Sequence, residues 1–127
     1  MFASFFRRWR VGKTGEDLAA DALARRGYRI VERNYRGRGG EIDLVAREND
    51  EWVFVEVKTR TNQKFGRPEE AVGARKKRGL RKAAAAYCAQ HKIRDAVVRC
   101  DVVAILLTGA EPEITVFKDA VALDILL

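Results

Sequence analysis

The chain has 127 residues, 47% of them hydrophobic, which suits one domain with a genuine core. Its 25 lysines and arginines against 18 aspartates and glutamates give a formal net charge of +7, which favours an anionic partner, nucleic acid ahead of a membrane surface. No apolar run approaches the ~20 residues of a membrane span, and the start is the reverse of a signal peptide. We therefore expect a cytoplasmic protein without stable membrane insertion.

The chain begins with a very short apolar stretch that is followed by arginines. Residues 1–11 are expected to form a flexible N-terminal arm, and residues 12–127 a single domain. Thr14 can cap a helix whose apolar positions recur at helical spacing and which stops at Gly27, a usual helix-terminating residue.

Three strands are predicted next. Residues 28–32 form a strand, and residues 37–40 a flexible basic loop. Residues 42–47 and 51–59 alternate strongly and flank Asn49-Asp50, which favours a hairpin turn.

The second half of the chain predicts one long helix and two strands. Residues 69–90 carry apolar positions at helical spacing, and residues 97–107 and 113–117 read as strands. Strand, helix and strand imply a right-handed crossover and a parallel pair joined to the hairpin. The expected fold is α/β, with a mixed sheet flanked by helices in the order α-β-β-β-α-β-β.

Two carboxylates and a lysine in the hairpin carry the predicted chemistry. If the hairpin turns symmetrically about Asn49-Asp50, Asp43 faces Glu56 on the neighbouring strand. Opposed residues have Cβ atoms roughly 4.5–5.5 Å apart, so this like-charge pair is unfavourable unless something offsets it. Lys58 shares the face of Glu56, because strand side chains alternate.

A divalent cation would offset the repulsion and would serve phosphodiester cleavage. Mg²⁺ or Mn²⁺ accepts one or two carboxylates, here Asp43 and Glu56, and keeps positions for water and a phosphate oxygen. Lys58 would orient the water or stabilise developing charge. Glu16, from the first helix, could complete the metal shell through water.

Structural interpretations of the same residues stay open at this point. The hairpin register also puts Glu41 opposite Lys58, so an ordinary ion pair could explain the lysine. Asp43 could cap a neighbouring amide, and Glu56 could pair with an arginine. Asp101, within an apolar strand, could be an additional site group, although a structural, hydrogen-bonded aspartate is the favoured interpretation.

Other side chains narrow the classes of site. Cys88 and Cys100 lie in apolar surroundings without metal-binding spacing, so buried free thiols are expected rather than a zinc site. His91 is the only histidine, which excludes a Ser-His-Asp triad.

Basic residues concentrate in the middle of the chain, as a phosphate-binding surface would require. The alternative is a solvated helix face. The residues expected to contact nucleic acid are Arg36, Arg38, Arg60, Lys76, Lys77, Arg78, Arg81 and Lys82.

The hairpin motifs resemble those of a known superfamily. The run GEIDLV at residues 40–45, followed by VEVKTR at 55–60, is similar to the PD-(D/E)xK nucleases. With Gly15-Glu16, the run RNYR at 33–36, Phe65-Gly66 and the basic helix, the chain closely resembles the small bacterial YraN-like proteins. That family is itself similar to archaeal Holliday junction resolvases.

The resemblance implies a restriction-endonuclease-like fold with Asp43, Glu56 and Lys58 as core site residues and Glu16 as a fourth. The expected function is that of a metal-dependent nuclease that cleaves nucleic-acid phosphodiesters, with DNA ahead of RNA and branched or damaged DNA as one candidate substrate. The alternative is a noncatalytic nucleic-acid-binding or scaffold protein that retains the fold. Symmetric cutting of a junction would require a homodimer.

Overall fold

The computed structural model describes residues 14–61 and 72–127, so the expected arm at residues 1–11 lies outside the described residues. The seven elements, in chain order, are α1 Gly15–Arg25, β1 Arg29–Gly37, β2 Gly40–Glu48, β3 Glu51–Arg60, α2 Ala74–Gln90, β4 Val98–Leu106 and β5 Glu113–Val121. This order confirms the predicted α-β-β-β-α-β-β arrangement. Within the described part of the chain, no helix is long and apolar enough to cross a membrane.

The five strands form one mixed sheet in the order β1-β2-β3-β4-β5. Strands β3 and β4 are parallel, and the other neighbours are antiparallel. The parallel pair requires a crossover, which α2 supplies. The predicted parallel pair joined to a hairpin is confirmed.

The two helices cover opposite faces of the sheet. Val53 and Val55 of β3 pack in the cluster that contains Leu23 of α1, whereas Phe54 packs in the cluster that contains Tyr87 of α2. Consecutive strand residues point to opposite faces, so β3 separates two apolar layers. The central strand is therefore buried on both sides from Val53 to Glu56, and Glu56 is the one charged residue of this buried run.

The β2–β3 hairpin has the predicted register. Glu48 pairs with Glu51, and the paired positions continue to Leu44 and Val55. Asn49 adopts a left-handed conformation with φ of 54°, which an asparagine tolerates in a tight turn. Asp43 and Glu56 lie directly beyond the last pair, at the open end of the hairpin.

Several predicted boundaries differ from the structure. Strand β2 spans Gly40–Glu48 rather than residues 42–47, and the predicted loop at residues 37–40 is reduced to a turn at residues 38–39. Strand β1 continues past Glu32 to Gly37, since its polar residues on an edge strand hide the alternation. Strand β5 continues past Phe117 to Val121 through an irregular pairing with β4. Helix α2 begins at Ala74; its predicted start at residue 69 lies outside the described residues.

The β1–β2 turn rests directly on helix α2. A Cβ atom added at Gly40 would overlap the backbone carbonyl of Gly79, and one added at Gly39, whose φ is +84°, would meet the side chain of Lys82. The two backbones approach this closely because neither glycine at the contact carries a side chain. The start of β2 is thereby fixed against the first turns of α2.

Candidate active site

Asp43 lies where the side-chain alternation of β2 breaks. Ile42 packs with Val45 in the α2-side cluster, whereas Leu44 packs in the α1-side cluster. In a regular strand, residues two apart share a face, so Ile42 and Leu44 should not separate. At this break, Oδ2 of Asp43 accepts a hydrogen bond of 2.8 Å from the backbone amide of Val57. The amide-capping interpretation of Asp43 is thus observed, and it fixes the carboxylate against β3.

Glu56 is the most unusual side chain of the site. Only 2% of the residue is exposed, and its Oε2 atom is buried without a hydrogen-bond partner. Burial, followed by the nearby charge of Asp43, raises the pKa of Glu56 to about 7, against the opposing effect of Lys76 and Lys58. A buried acceptor without a partner is costly, and a proton or a cation at this oxygen would offset that cost.

Two lysines approach the other oxygen of Glu56. Lys58 Nζ lies 3.5 Å from Oε1, and Lys76 Nζ lies 3.4 Å from the same atom. Glu41, the predicted partner of Lys58 in the structural interpretation, instead forms ion pairs of 3.7 Å with Arg36 and 3.9 Å with Lys76. Lys58 therefore belongs to the carboxylate site.

Glu16 reaches the site from the start of α1. Thr14 caps this helix by accepting from the Asp17 amide at 3.1 Å, as predicted for Thr14. With its amide nitrogen facing the carboxylate, Asn34 lies 2.7 and 3.1 Å from the two Glu16 oxygens. Burial raises the pKa of Glu16, and Asp43 adds to this effect. Asp43 is thus electrostatically coupled to Glu16 and to Glu56.

The carboxylates of Asp43, Glu56 and Glu16 influence one another electrostatically but do not form a closely grouped set of three. Within residues 14–61 and 72–127, no three metal-ligating side chains are grouped closely enough to hold an ion together. Two carboxylates nevertheless suit Mg²⁺, which prefers oxygen ligands and retains several waters. The unpartnered Oε2 of Glu56 beside the charge of Asp43 fits such an ion, and Glu16 is electrostatically coupled to Asp43.

Comparison with known proteins places the chain in a family. The profile of the uncharacterised protein family UPF0102 matches residues 15–105. The chain belongs to this family. It is 46% identical to a UPF0102 protein of Trichlorobacter lovleyi over 82% of this chain and 84% of the relative. It is 49% identical to one from Moorella thermoacetica, over 82% and 87% of the two chains.

The matched region of this UPF0102 chain contains all four residues predicted to form the catalytic and metal-binding site. Glu16, Asp43, Glu56 and Lys58 fall within residues 15–105, as does Lys76. The predicted kinship with the YraN-like proteins is thereby confirmed.

In the UPF0102 chain, the basic residues of α2 include an exposed stripe and one arginine that is held by other parts of the fold. Arg75, Arg78 and Lys82 are exposed at helical spacing along one stripe of α2. Arg81 is instead held by the C-terminal segment, where it donates to the carbonyl of Ala122 at 2.9 Å and lies 3.7 Å from Asp124. The exposed stripe is free to meet an anionic partner, whereas Arg81 has a structural contact.

The other residues predicted to contact nucleic acid lie on β1, in the β1–β2 turn, on β3 and on α2. Arg38 is exposed in the β1–β2 turn, which rests on α2 near Lys82. Arg36 is exposed beside Glu41, Arg60 donates to the carbonyl of Thr59, and Lys77 lies half-buried on α2. Lys76 lies 3.4 Å from Oε1 of Glu56, a contact with the carboxylate site that the sequence did not predict, and its predicted contact with nucleic acid stays a prediction.

Asp101 is structural in this UPF0102 chain. It is fully buried and accepts hydrogen bonds from Tyr28 Oη at 2.8 Å and from the Asp119 amide at 2.9 Å. Arg99, also buried, donates to Asp101 at 3.0 Å and to Glu51 at 2.8 Å. This polar network lies on the α1 side near the hairpin turn. The favoured interpretation of Asp101 is confirmed, and Cys88 and Cys100 are buried free thiols as expected.

Two site residues were not recognised in the sequence. Asn34 holds Glu16, and its φ of 54° belongs to a region that asparagine tolerates better than most residues. Lys76 contacts Glu56 through tertiary packing of α2, for which the local pattern has no signal. A buried glutamate in the central strand was the available hint, since such a charge requires partners.

Proposed function

We propose that this protein is a metal-dependent nuclease that hydrolyses phosphodiester bonds, with DNA ahead of RNA as substrate and branched or damaged DNA as the preferred form. The observation that carries the proposal is the buried, unpartnered Oε2 of Glu56 next to the charge of Asp43. A purely structural glutamate would have its acceptors satisfied.

Asp43 and Glu56 would hold Mg²⁺ or Mn²⁺, with Glu16 interacting through water. The chemistry that such an ion supplies is activation of water and neutralisation of charge at the phosphate. Lys58, 21% exposed, reaches from the buried carboxylate toward solvent and can donate to the water or to a phosphate oxygen. In hydrolysis, the water oxygen bonds to phosphorus and gives up one proton, while the bond from phosphorus to the leaving sugar oxygen breaks and the leaving oxygen takes up one proton.

The residues around the site hold it in place. The Val57 amide fixes the Asp43 carboxylate, and Asn34 fixes Glu16. The contact between Gly40 and Gly79 fixes α2 against the strand that carries Asp43. These contacts keep like charges close together. A metal-dependent site needs that geometry, whereas the stability of the fold does not require it.

The test is cleavage of linear, flapped and four-way DNA in Mg²⁺ or Mn²⁺, with chelator as the blank. We expect cleavage that Glu56→Gln and Asp43→Asn abolish and that Lys58→Met lowers by roughly a hundredfold or more. Glu113→Gln is the matched control, because Glu113 is exposed on β5, the far edge strand of the sheet. Cleavage that survives in Glu56→Gln would contradict the proposal. DNA binding without cleavage in either metal would favour the noncatalytic binding protein instead.

Binding to DNA should be electrostatic and tolerant of sequence. The exposed stripe offers phosphate contacts, so the double variant Arg78→Ala/Lys82→Ala is expected to weaken binding to all sequences alike. The slope of log affinity against log salt should become shallower by about 1.8, or about 0.9 for each lost contact. Fluorescence anisotropy over a salt series measures both quantities.

The control for that variant removes the same charge elsewhere. Arg25 and Arg26 are exposed at the end of α1, on the other face of the sheet. Arg25→Ala/Arg26→Ala should keep the parental slope. Equal slopes for the two double variants would show that α2 does not contact the phosphates.

A further inference from the structure

The two carboxylate oxygens of Glu56 differ in their partners. Both ammonium groups of the site approach Oε1, Lys76 at 3.4 Å and Lys58 at 3.5 Å, while Oε2 has none. One lysine would already provide the single positive charge that a carboxylate needs. The second lysine therefore calls for an explanation beyond neutralisation of Glu56.

The two lysines differ in how they are held. Lys58 belongs to the same strand as Glu56 and is 21% exposed, whereas Lys76 comes from the first turn of α2 and is 35% exposed. The ion pairs of Lys76 are long, 3.4 Å to Glu56 and 3.9 Å to Glu41. Its side chain can leave Glu56 without any change in the backbone.

An open cavity lies on the outer side of Lys76. Its volume is about 570 Å³, and its lining includes Arg75 and Glu41 as well as Lys76. Lys76 thus contacts a buried carboxylate that does not line the cavity, and it also borders space next to an arginine. A lysine is suited to such an exchange, because its ammonium is a compact point charge on a flexible stem.

We infer that Lys76 is an internal cation of the site, which neutralises Glu56 through Oε1 in the metal-free protein and competes by its charge with a divalent ion at the same carboxylate. This inference rests on the proposed function. A divalent ion at Glu56 repels the ammonium of Lys76, since like charges a few ångströms apart in a partly buried site interact strongly. Lys76 then turns to the cavity, where it adds to the positive field that meets a phosphate group.

Lys76 is therefore a positioning residue whose removal has opposite effects on two ligands. Loss of its charge relieves competition and strengthens metal binding. The same loss removes a cation from the phosphate side, so the gain in DNA affinity that metal gives to the parent becomes smaller. This reciprocal pattern is what a coupling between two ligands requires, and a merely structural lysine does not produce it.

The test is calorimetric titration of the full chain with Mn²⁺ alone. Lys76→Met is expected to bind Mn²⁺ roughly tenfold more tightly than the parent, which corresponds to about 1.4 kcal/mol. Lys76→Arg, which keeps the charge, should stay near the parental affinity. Lys77→Met removes the same charge from the next position of α2 and should change affinity by less than about twofold, since consecutive helix residues point roughly 100° apart and Lys76 is the residue of the two that pairs with Glu56. Circular dichroism checks that each variant is folded.

The outcomes separate this inference from the proposed function. Equal Mn²⁺ affinities in Lys76→Met, Lys77→Met and the parent would overturn the role of Lys76 while leaving the metal site in place. Weaker binding in Lys76→Met would show that Lys76 supports the metal-binding conformation of Glu56, and would also overturn it. An absence of Mn²⁺ binding in the parent and in every Lys76 variant would overturn the metal site and the inference with it.

Discussion

Glu56→Gln is expected to stabilise the metal-free protein by about 1–3 kcal/mol at about pH 8. Burial and Asp43 raise the pKa of Glu56 from 4.5 to about 7, so folding favours the protonated form of this carboxyl. Above that pKa, the folded protein carries a buried charge that the unfolded chain keeps in water. Glutamine removes the charge while keeping the shape of the side chain.

The effect has a defined pH window. Because the folded pKa lies above the unfolded value, the parent has the full contribution of this group below about pH 4.5 and loses it as the pH rises through about 7. The difference in unfolding free energy between Glu56→Gln and the parent should therefore be near zero at the acid end and reach its maximum above neutrality. Urea melts in chelator across this range measure it.

Exposed Glu113 provides the control for this prediction, and Glu113→Gln should follow the parental pH profile. Asp43→Asn should shift stability in the same direction as Glu56→Gln, since an asparagine oxygen can still accept from the Val57 amide. Added Mg²⁺ or Mn²⁺ should stabilise the parent more than either variant, as a ligand of the folded state does. Clear destabilisation by Glu56→Gln in chelator, with no metal response in the parent, would identify Glu56 as a structural anion.

Arg99→Met is expected to destabilise the protein by about 3–5 kcal/mol, the cost of leaving a buried charge without its partner. Arg99 is buried and donates to Asp101, Glu51 and the Tyr28 hydroxyl. Without it, Asp101 keeps only neutral donors in a fully buried position. The site on β2 and β3 lies at the other end of the hairpin, so DNA binding by the folded fraction should change little.

Arg94→Met is the control, because Arg94 is exposed and its side chain donates to the carbonyl of the adjacent Ile93. Its free energy of unfolding should stay within about 0.5 kcal/mol of the parent. Urea melts of both variants at neutral pH give the comparison. If Arg99→Met lowers the free energy of unfolding by less than about 1 kcal/mol, water replaces the guanidinium and the polar network is accessible to solvent.

The hairpin was predictable because its signals are local. Asn49-Asp50 specifies the turn, and the alternation on either side of it specifies the register as far as Leu44 and Val55. The approach of Asp43 to Glu56 follows from the same count of residues. The identity of three core site residues could therefore be read from one segment of the chain.

The rest of the site depends on contacts that no local pattern records. The break at Asp43 is stabilised by the amide of Val57 on the neighbouring strand, and the position of Glu16 by Asn34. Lys76 reaches Glu56 only because α2 packs against β2 through Gly40 and Gly79. These contacts are tertiary. The pattern of charges along α2, taken alone, predicts a phosphate-binding surface and gives no signal for the contact of Lys76 with Glu56.

The open end of the hairpin has a consequence for the order of folding. Asp43 and Glu56 belong to adjacent strands, which form within microseconds through a short loop, whereas Lys76 arrives only when the crossover helix and β4 have packed. During that interval, the two carboxylates meet without the second ammonium, so their repulsion opposes pairing at that end. The hairpin must therefore zip from Asn49-Asp50 outward, with its charged end closing last.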